Sequence, residues 1–202
     1  MKYVIISDIH GSSLAAKKAV ARFEQSNASF LFILGDVLYH GPRNSLPGGH
    51  DPKGVVDILN QYRDAIIAVR GNCDAEVDQL LLNFPCMSDY ALIVDEGRRL
   101  FLTHGHVYME EELPYVLPPG SVLFSGHTHI WRLEEKGGLI CCNPGSVSLP
   151  KTQTPDTPAV PTFAVYESAG GKTSITVHRL DDCGIVAEMR LPYCLKATDP
   201  IY

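Results

Sequence analysis

The side chains able to hold a metal ion fall into five short clusters: Ser7-Asp8-Ile9-His10, Gly35-Asp36, Gly71-Asn72, His104-Gly105-His106 and Gly126-His127-Thr128-His129. Carboxylate oxygen, imidazole nitrogen and amide oxygen make a mixed N/O donor set, which suits Mn, Fe or Zn more than Ca or Mg alone. The chemistry such a set supports is hydrolysis, because two divalent ions lower the pKa of a shared water until hydroxide is available near neutral pH. Each cluster has a bland reading as well. An aspartate after a strand is often a helix cap, Gly-Asn is often a turn, and one histidine is usually a satisfied surface or core residue. The weight rests on all five occurring together.

Spacing adds a geometric expectation. Residues i and i+2 at the end of an extended strand point the same way, so Asp8 with His10, and His127 with His129, are each expected to aim together at one site. The adjoining glycines let the backbone turn or approach closely. Each cluster also follows an apolar run directly, and sheets built with crossover helices gather ligand sites at the edge where parallel strands end.

The elements that must position these clusters change character along the chain. Tyr3 to Ile6, Phe30 to Leu34 and Ala65 to Val69 read as parallel strands. Between them, Ser12 or Ser13 caps a helix with Ala16, Ala19, Val20 and Phe23 on one face. Asp51 and Pro52 open a second helix with Val55, Ile58, Leu59 and Tyr62 on its face. Asp74 is expected to cap a third, with Val77, Leu80, Leu81 and Phe84 aligned and Pro85 stopping it. From residue 90 the texture becomes β: Tyr90 to Val94, Leu100 to Thr103, Val122 to Phe124, Leu139 to Cys142, Phe163 to Tyr166, Ile175 to His178 and Ile185 to Leu191. The expected fold is α/β, two packed mixed β-sheets flanked by helices, in one domain spanning residues 1–202. The Pro- and Thr-rich stretch 150–161 reads as a surface loop, and the acidic run Glu110 to Glu112 as surface.

Composition bounds the partners. With 17 Lys and Arg against 23 Asp and Glu, the chain carries a formal charge of −6. It therefore shows no electrostatic footprint for nucleic acid or an anionic membrane. No apolar run approaches the ~20 residues that span a bilayer, and the N-terminus lacks a signal-peptide pattern; the expected location is the cytoplasm. Six cysteines without CxxC spacing do not form a disulfide framework, and Cys141 with Cys142 reads as buried strand. Nothing in the residues decides between a monomer and a homo-oligomer.

The sequence also resembles the calcineurin-like metallophosphoesterases. Their motifs are similar to SDIHG at residues 7–11, GDV at 35–37, GNCD at 71–74, THGH at 103–106 and GHTH at 126–129, in family order. Within that family the loop His40-Gly41-Pro42-Arg43-Asn44, the segment 69–74 and the run Asn143 to Ser148 look like those of the small bacterial YfcE-type phosphodiesterases. The likeness covers roughly residues 1–150. It implies a four-layer α-β-β-α sandwich and a small phosphodiester substrate. It also implies two divalent ions, Mn first with Fe, Zn, Ni or Mg as alternatives.

Asp8, His10 and His129 would then hold one ion, Asn72, His104 and His127 the other, with Asp36 bridging. Asp36, Asn72 and His104 are carried as the catalytic residues, Arg43 and Cys73 as substrate contacts, and His106 and Asp74 as residues that orient ligands from behind. Many family members carry histidine after Gly-Asn, where it helps protonate the leaving group, and this chain has Cys73. A thiol is a poor substitute at neutral pH, so good leaving groups should be favoured. The rival readings are a non-catalytic protein-binding scaffold on the same fold, a phosphomonoesterase or other phosphatase, a nuclease, and a thiol-dependent enzyme built on Cys73.

Overall fold

In the computed structural model, residues 1–192 are described except 109–111 and 153. Glu110, Glu111 and Cys194 thus lie outside the described residues, whereas Glu112 is exposed as expected.

The apolar run Lys2–Ile6 (β1) is the centre of the first sheet. Phe30–Ile33 (β2) and Ile66–Ala68 (β3) pair parallel beyond it on one side. On the other side Thr162–Ala169 (β9), Lys172–Arg179 (β10) and Ile185–Leu191 (β11) add antiparallel strands, giving the order β11-β10-β9-β1-β2-β3. The second sheet is also mixed. Tyr90–Asp95 (β4), Arg98–Thr103 (β5), Val122–Phe124 (β6), Leu139–Pro144 (β8) and Trp131–Lys136 (β7) lie side by side in that order. Among these, β5, β6 and β8 run parallel.

Three apolar clusters define the layers. Ser13–Ser26 (α1) and Pro52–Leu59 (α2) cover the outer face of the first sheet with Ala16, Ala19, Val20, Val55 and Leu59. Ile5, Phe32, Leu100, Phe124, Cys142 and Tyr166 fill the space between the sheets. On the far side Leu113 and Leu117, around one 3-10 turn, cover Phe101, Leu123, Leu139 and Cys141.

The helix starts follow from their capping residues. Ser12 Oγ accepts from Ala15 N at 3.1 Å, and Asn27 ends α1 in the left-handed conformation. Such a cap contributes about 1 kcal/mol. Asp51 Oδ1 accepts from Gly54 N at 3.0 Å with Pro52 at the first turn, a position where the missing N–H costs nothing.

Two expectations fail here for physical reasons. The third helix is only Glu76–Leu81 (α3), its cap is Ala75, and Val77 and Leu80 are 57% and 84% exposed. Asp74 cannot cap it because its carboxylate is already taken by backbone N–H groups elsewhere. The Asn60 side chain then closes the helix end by donating to Leu81 O at 2.9 Å and accepting from Asn83 N at 2.8 Å. Strand β7 was not expected, since Trp-Arg-Leu-Glu-Glu-Lys has too little apolar alternation to announce itself. Pairing with β8 in register from Trp131 opposite Pro144 to Lys136 opposite Leu139 creates it.

Candidate metal centre

All five clusters sit at the ends of β1, β2, β3, β5 and β6, where the parallel strands of the two sheets terminate side by side. The backbone there is not extended. Asp8, His10, Asp36, His127 and His129 all have left-handed φ, between 50° and 69°. They are five of only eight such non-glycine residues among those described. Each costs on the order of 1–3 kcal/mol and persists only where the surroundings enforce it. Left-handed turns rather than strand alternation bring Asp8 and His10 together, and His127 and His129 line one cavity as expected while facing different rings. His129 turns to His10, with ring centroids 5.0 Å apart, while His127 turns to His104 at 5.1 Å.

Several contacts hold these turns. Asp74 clasps two of them, accepting from Asp36 N at 2.8 Å, Val37 N at 2.8 Å and Gly71 N at 2.7 Å. A Cβ on Gly71 would collide with Asp36 Oδ1, so only glycine allows this approach. Ser146 and Ser148 both donate to the Asp8 carbonyl, at 2.8 and 2.9 Å, and Asn143 donates to Gly126 O at 2.7 Å. The Asn143 to Ser148 run thus braces the first and last clusters from behind.

Three imidazoles are oriented in the same way. His10 Nδ1 lies 2.8 Å from Tyr39 O, His104 Nδ1 2.6 Å from Leu34 O, and His129 Nδ1 2.7 Å from Leu149 O. A carbonyl only accepts, so each Nδ1 carries the proton, and the Nε2 of the neutral ring presents a lone pair. Those lone pairs meet other acceptors. His10 Nε2 faces His129 Nε2 at 3.2 Å, and His104 Nε2 faces Asn72 Oδ1 at 3.0 Å. Asp36 Oδ2 stands 3.6 Å from His10 Nε2 and 3.5 Å from His104 Nε2, between the two halves. Asp8 Oδ1 is buried without a hydrogen-bond partner, 3.4 Å from His129 Nε2.

Buried acceptors turned on acceptors repel unless a proton or a cation sits among them. Burial by itself lowers the pKa of His104, but Asp36 and Asp8 outweigh it and take the imidazolium up to about 9. Burial likewise opposes a charge on His10, and the carboxylates of Asp8 and Asp36 with the Tyr39 carbonyl raise it nonetheless. A proton on one ring relieves one facing pair only, whereas divalent cations match every donor atom at once. Asp8 with His10 and His129, Asp8 with Asp36 and His104, and Asp36 with His10 and Cys73 each bring ligand atoms within 4.8 Å of one another. The donor set fits divalent metal.

The site opens on one side. Asn72 is exposed and His127 half-buried, and a cavity of about 480 Å³ is lined by both together with Asp36, Arg43, Cys73 and Lys151.

Known proteins resemble this chain over most of its length. Residues 1–168 match the calcineurin-like phosphoesterase superfamily domain. The chain belongs to that superfamily. It is 50% identical over 155 residues to phosphodiesterase YfcE of Escherichia coli K12, covering 77% of this chain and 84% of that one. It is 26% identical over 190 residues to the probable metallophosphoesterase YsnB of Bacillus subtilis, covering 85% and 94%. Its structure superposes on that of YfcE, described as a phosphoesterase from E. coli, with a TM-score of 0.86 over 95% of this chain and all of that one, at 44% identity. Zinc-bound Vps29 from Entamoeba histolytica shares the fold alone, with a TM-score of 0.61 at 19% identity over 96% and 100%.

Within this phosphoesterase fold the remaining expected residues separate. Arg43 lines the cavity from an exposed loop that Asn44 ties back to His40 O at 2.8 Å. Cys73 donates its backbone N–H to Asp36 Oδ1 at 2.8 Å. His106 makes no hydrogen bond to Asp36. It packs its ring against His104 and His127, with centroids 5.3 and 6.3 Å away, and its buried Nδ1 is without a partner.

Lys151 had no signature in the sequence, where it belongs to the Pro- and Thr-rich stretch 150–161. Its N–H donates to His129 O at 3.0 Å while Leu149 O holds the His129 ring, so the loop brackets that histidine and carries the ammonium group to the cavity. The carbonyls of Leu34, Tyr39 and Leu149 were equally illegible, because backbone acceptors have no side-chain signature.

Proposed function

We propose that this chain is a metal-dependent phosphodiesterase acting on a small phosphate diester with a good leaving group. The observation that carries the reading is the convergence of buried imidazole and carboxylate acceptors, with the Asn72 amide at their open side, in a chain 50% identical over 155 residues to a protein named as a phosphodiesterase. Asp8, His10 and His129 would hold one ion and Asn72, His104 and His127 the other, with Asp36 serving both. The oxygen-and-nitrogen set favours Mn over softer-ligand alternatives. Divalent ions held there would activate a water as nucleophile near neutral pH and offset charge on the phosphoryl oxygens.

The chain's own residues do the rest. The Tyr39, Leu34 and Leu149 carbonyls fix the ring tautomers and keep each Nε2 facing the centre. Asp36 and Asp8 supply the negative charge that concentrates cations in the site. Asn72 and His127, at the open side, meet the substrate phosphate first, and Arg43 with Lys151 offers cationic donors around it. Lys151→Ala is expected to raise KM for an aryl phosphodiester several-fold with little change in kcat. An equal fall in kcat would instead place Lys151 in the transition state.

Cys73 has no part as a nucleophile in this scheme. Burial, then the Asp36 carboxylate beside it, pushes its thiol up to about 12, so it stays protonated and is a weak acid as well. The leaving oxygen departs without a strong protein acid, which is why the leaving group must be good. Cys73→Ala is expected to keep diester hydrolysis within about fivefold of wild type; abolition would restore the thiol-dependent reading.

The reading extends to one domain over residues 1–202 working in the cytoplasm, without a nucleic-acid substrate. Among the described residues no helix is long and apolar enough to cross a membrane. The test is hydrolysis of a bis-aryl phosphodiester and an aryl phosphomonoester by chelator-stripped protein, with and without Mn²⁺. Restored hydrolysis of the diester in preference to the monoester supports the proposal. Metal binding with no ester cleaved would leave the scaffold reading standing.

A further inference from the structure

The clusters that follow β5 and β6 border a second cavity, of about 620 Å³, on the outer face of the five-stranded sheet. It meets the first cavity at His127 and Thr128, which line both. Strand register decides which side chains face it. Cys141 of β8 pairs with Leu123 on one side and Glu134 on the other, and Leu123 and Cys141 belong to the outer apolar cluster. Asn143 pairs with Arg132, and Ser125 N continues the ladder to Cys142 O at 3.0 Å. Alternation then puts Ser125, Arg132 and Asn143 on that same face.

The cavity has an apolar wall and a polar one. Tyr108 lines the first, its ring held edge-on by Tyr90 and Phe101 with centroids 5.5 and 5.6 Å away, and it packs on the cluster that contains Leu123. On the other wall Arg132 pairs with Glu134 at 3.4 Å, so that wall offers donors and acceptors while its charges offset one another. Ser125 lies at the end nearest the metal clusters, since a Cβ added to Gly105 would stand 3.6 Å from Ser125 Cβ.

On the phosphodiesterase reading, on which this inference rests, we propose that this cavity receives the retained ester arm and selects a flat, uncharged ring with hydrogen-bonding groups on its edge. A phosphodiester carries two organic groups on one phosphorus, and a monoester only one. Two cavities that share His127 and Thr128 give each group its own place. The leaving oxygen gathers negative charge, which suits the first cavity with Arg43 and Lys151. The retained arm gathers none, which suits the offset charges of the second. An aromatic wall favours a ring over a short alkyl group. The volume falls in the ~300–1,000 Å³ range of small-molecule sites, ample for one ring system. Tyr108, Ser125 and Arg132 are thus specificity-determining residues.

The test compares phenyl p-nitrophenyl phosphate with methyl p-nitrophenyl phosphate, two diesters with one leaving group and different retained arms. Comparing their ratio of kcat/KM between proteins cancels intrinsic reactivity. In Tyr108→Ala, which removes the wall, and in Ser125→Phe, which fills the cavity, the phenyl-to-methyl ratio should fall about tenfold from wild type, chiefly through KM for the phenyl ester. In wild type loaded with diamagnetic Zn²⁺, the amide resonances of Leu123, Ser125 and Arg132 should shift with diphenyl phosphate and stay still with dimethyl phosphate. That readout decides the matter even if a variant folds poorly. A ratio unchanged in both variants, or resonances that do not distinguish the two esters, would overturn the proposal, while hydrolysis of the methyl ester would leave the phosphodiesterase reading standing. If Mn²⁺-loaded wild type cleaves neither ester, that reading fails and the proposal falls with it.

Discussion

Asp36→Asn is expected to lower Mn²⁺-dependent diester hydrolysis by about 10³-fold or more. Asparagine is the informative replacement because it tolerates the left-handed φ of 55° at this position and can still accept from Cys73 N. What it removes is the charge standing 3.6 Å from His10 and 3.5 Å from His104. That charge stands within reach of rings on both halves of the site, so its loss weakens both halves together. Burial raises the Asp36 carboxyl, but the His104 imidazole 3.5 Å away, with the Cys73 N–H and His10, holds it well below the usual range. A loss of activity with native circular dichroism and unchanged Asp74 clasping, read by amide exchange at Val37 and Gly71, is the expected result. Activity within tenfold of wild type would remove Asp36 from the centre of the scheme.

Stripping the metal is the second large effect. Hydrolysis should fall to background and return on adding Mn²⁺. Thermal stability should fall with it, because ions that bind the folded chain alone stabilise it by about 2.7–4.1 kcal/mol at 100–1,000 times Kd. For a chain of this length that corresponds to a Tm lower by about 5–15 °C. The structural reason is local. Without cations, Asp8 Oδ1 is a buried acceptor with no hydrogen-bond partner, and His10 Nε2 faces His129 Nε2 with one proton at most between them. A stripped protein that melts at the same temperature would mean that the site binds no ion tightly in the folded state.

The comparison of sequence with structure turns on what side chains can announce. Ser12, Asp51 and the apolar faces of α1 and α2 were legible because their roles are local: a cap and a periodicity. The five clusters were legible because carboxylates and imidazoles are rarely grouped without use. The third helix misled because Asp74 looks the same whether it caps the next helix or clasps two distant loops, and only the fold decides. Strand β7 was hidden because its identity comes from its partner rather than from its own pattern.

The orientation of the site was hidden for a related reason. Strand alternation predicts that His127 and His129 share one site, which they do, but not that the left-handed backbone at both turns one ring to His104 and the other to His10. Lys151 reached the cavity through backbone bonds to His129 that no composition reveals.

The central claim is that this donor set holds two ions and that hydrolysis needs both. Its most direct test is elemental analysis of protein loaded with Mn²⁺ and desalted, with diester hydrolysis measured on the same samples as metal is withdrawn. The account predicts two equivalents per chain in the fully active protein, and loss of hydrolysis as the second equivalent is removed. Full activity at one equivalent or none would contradict it.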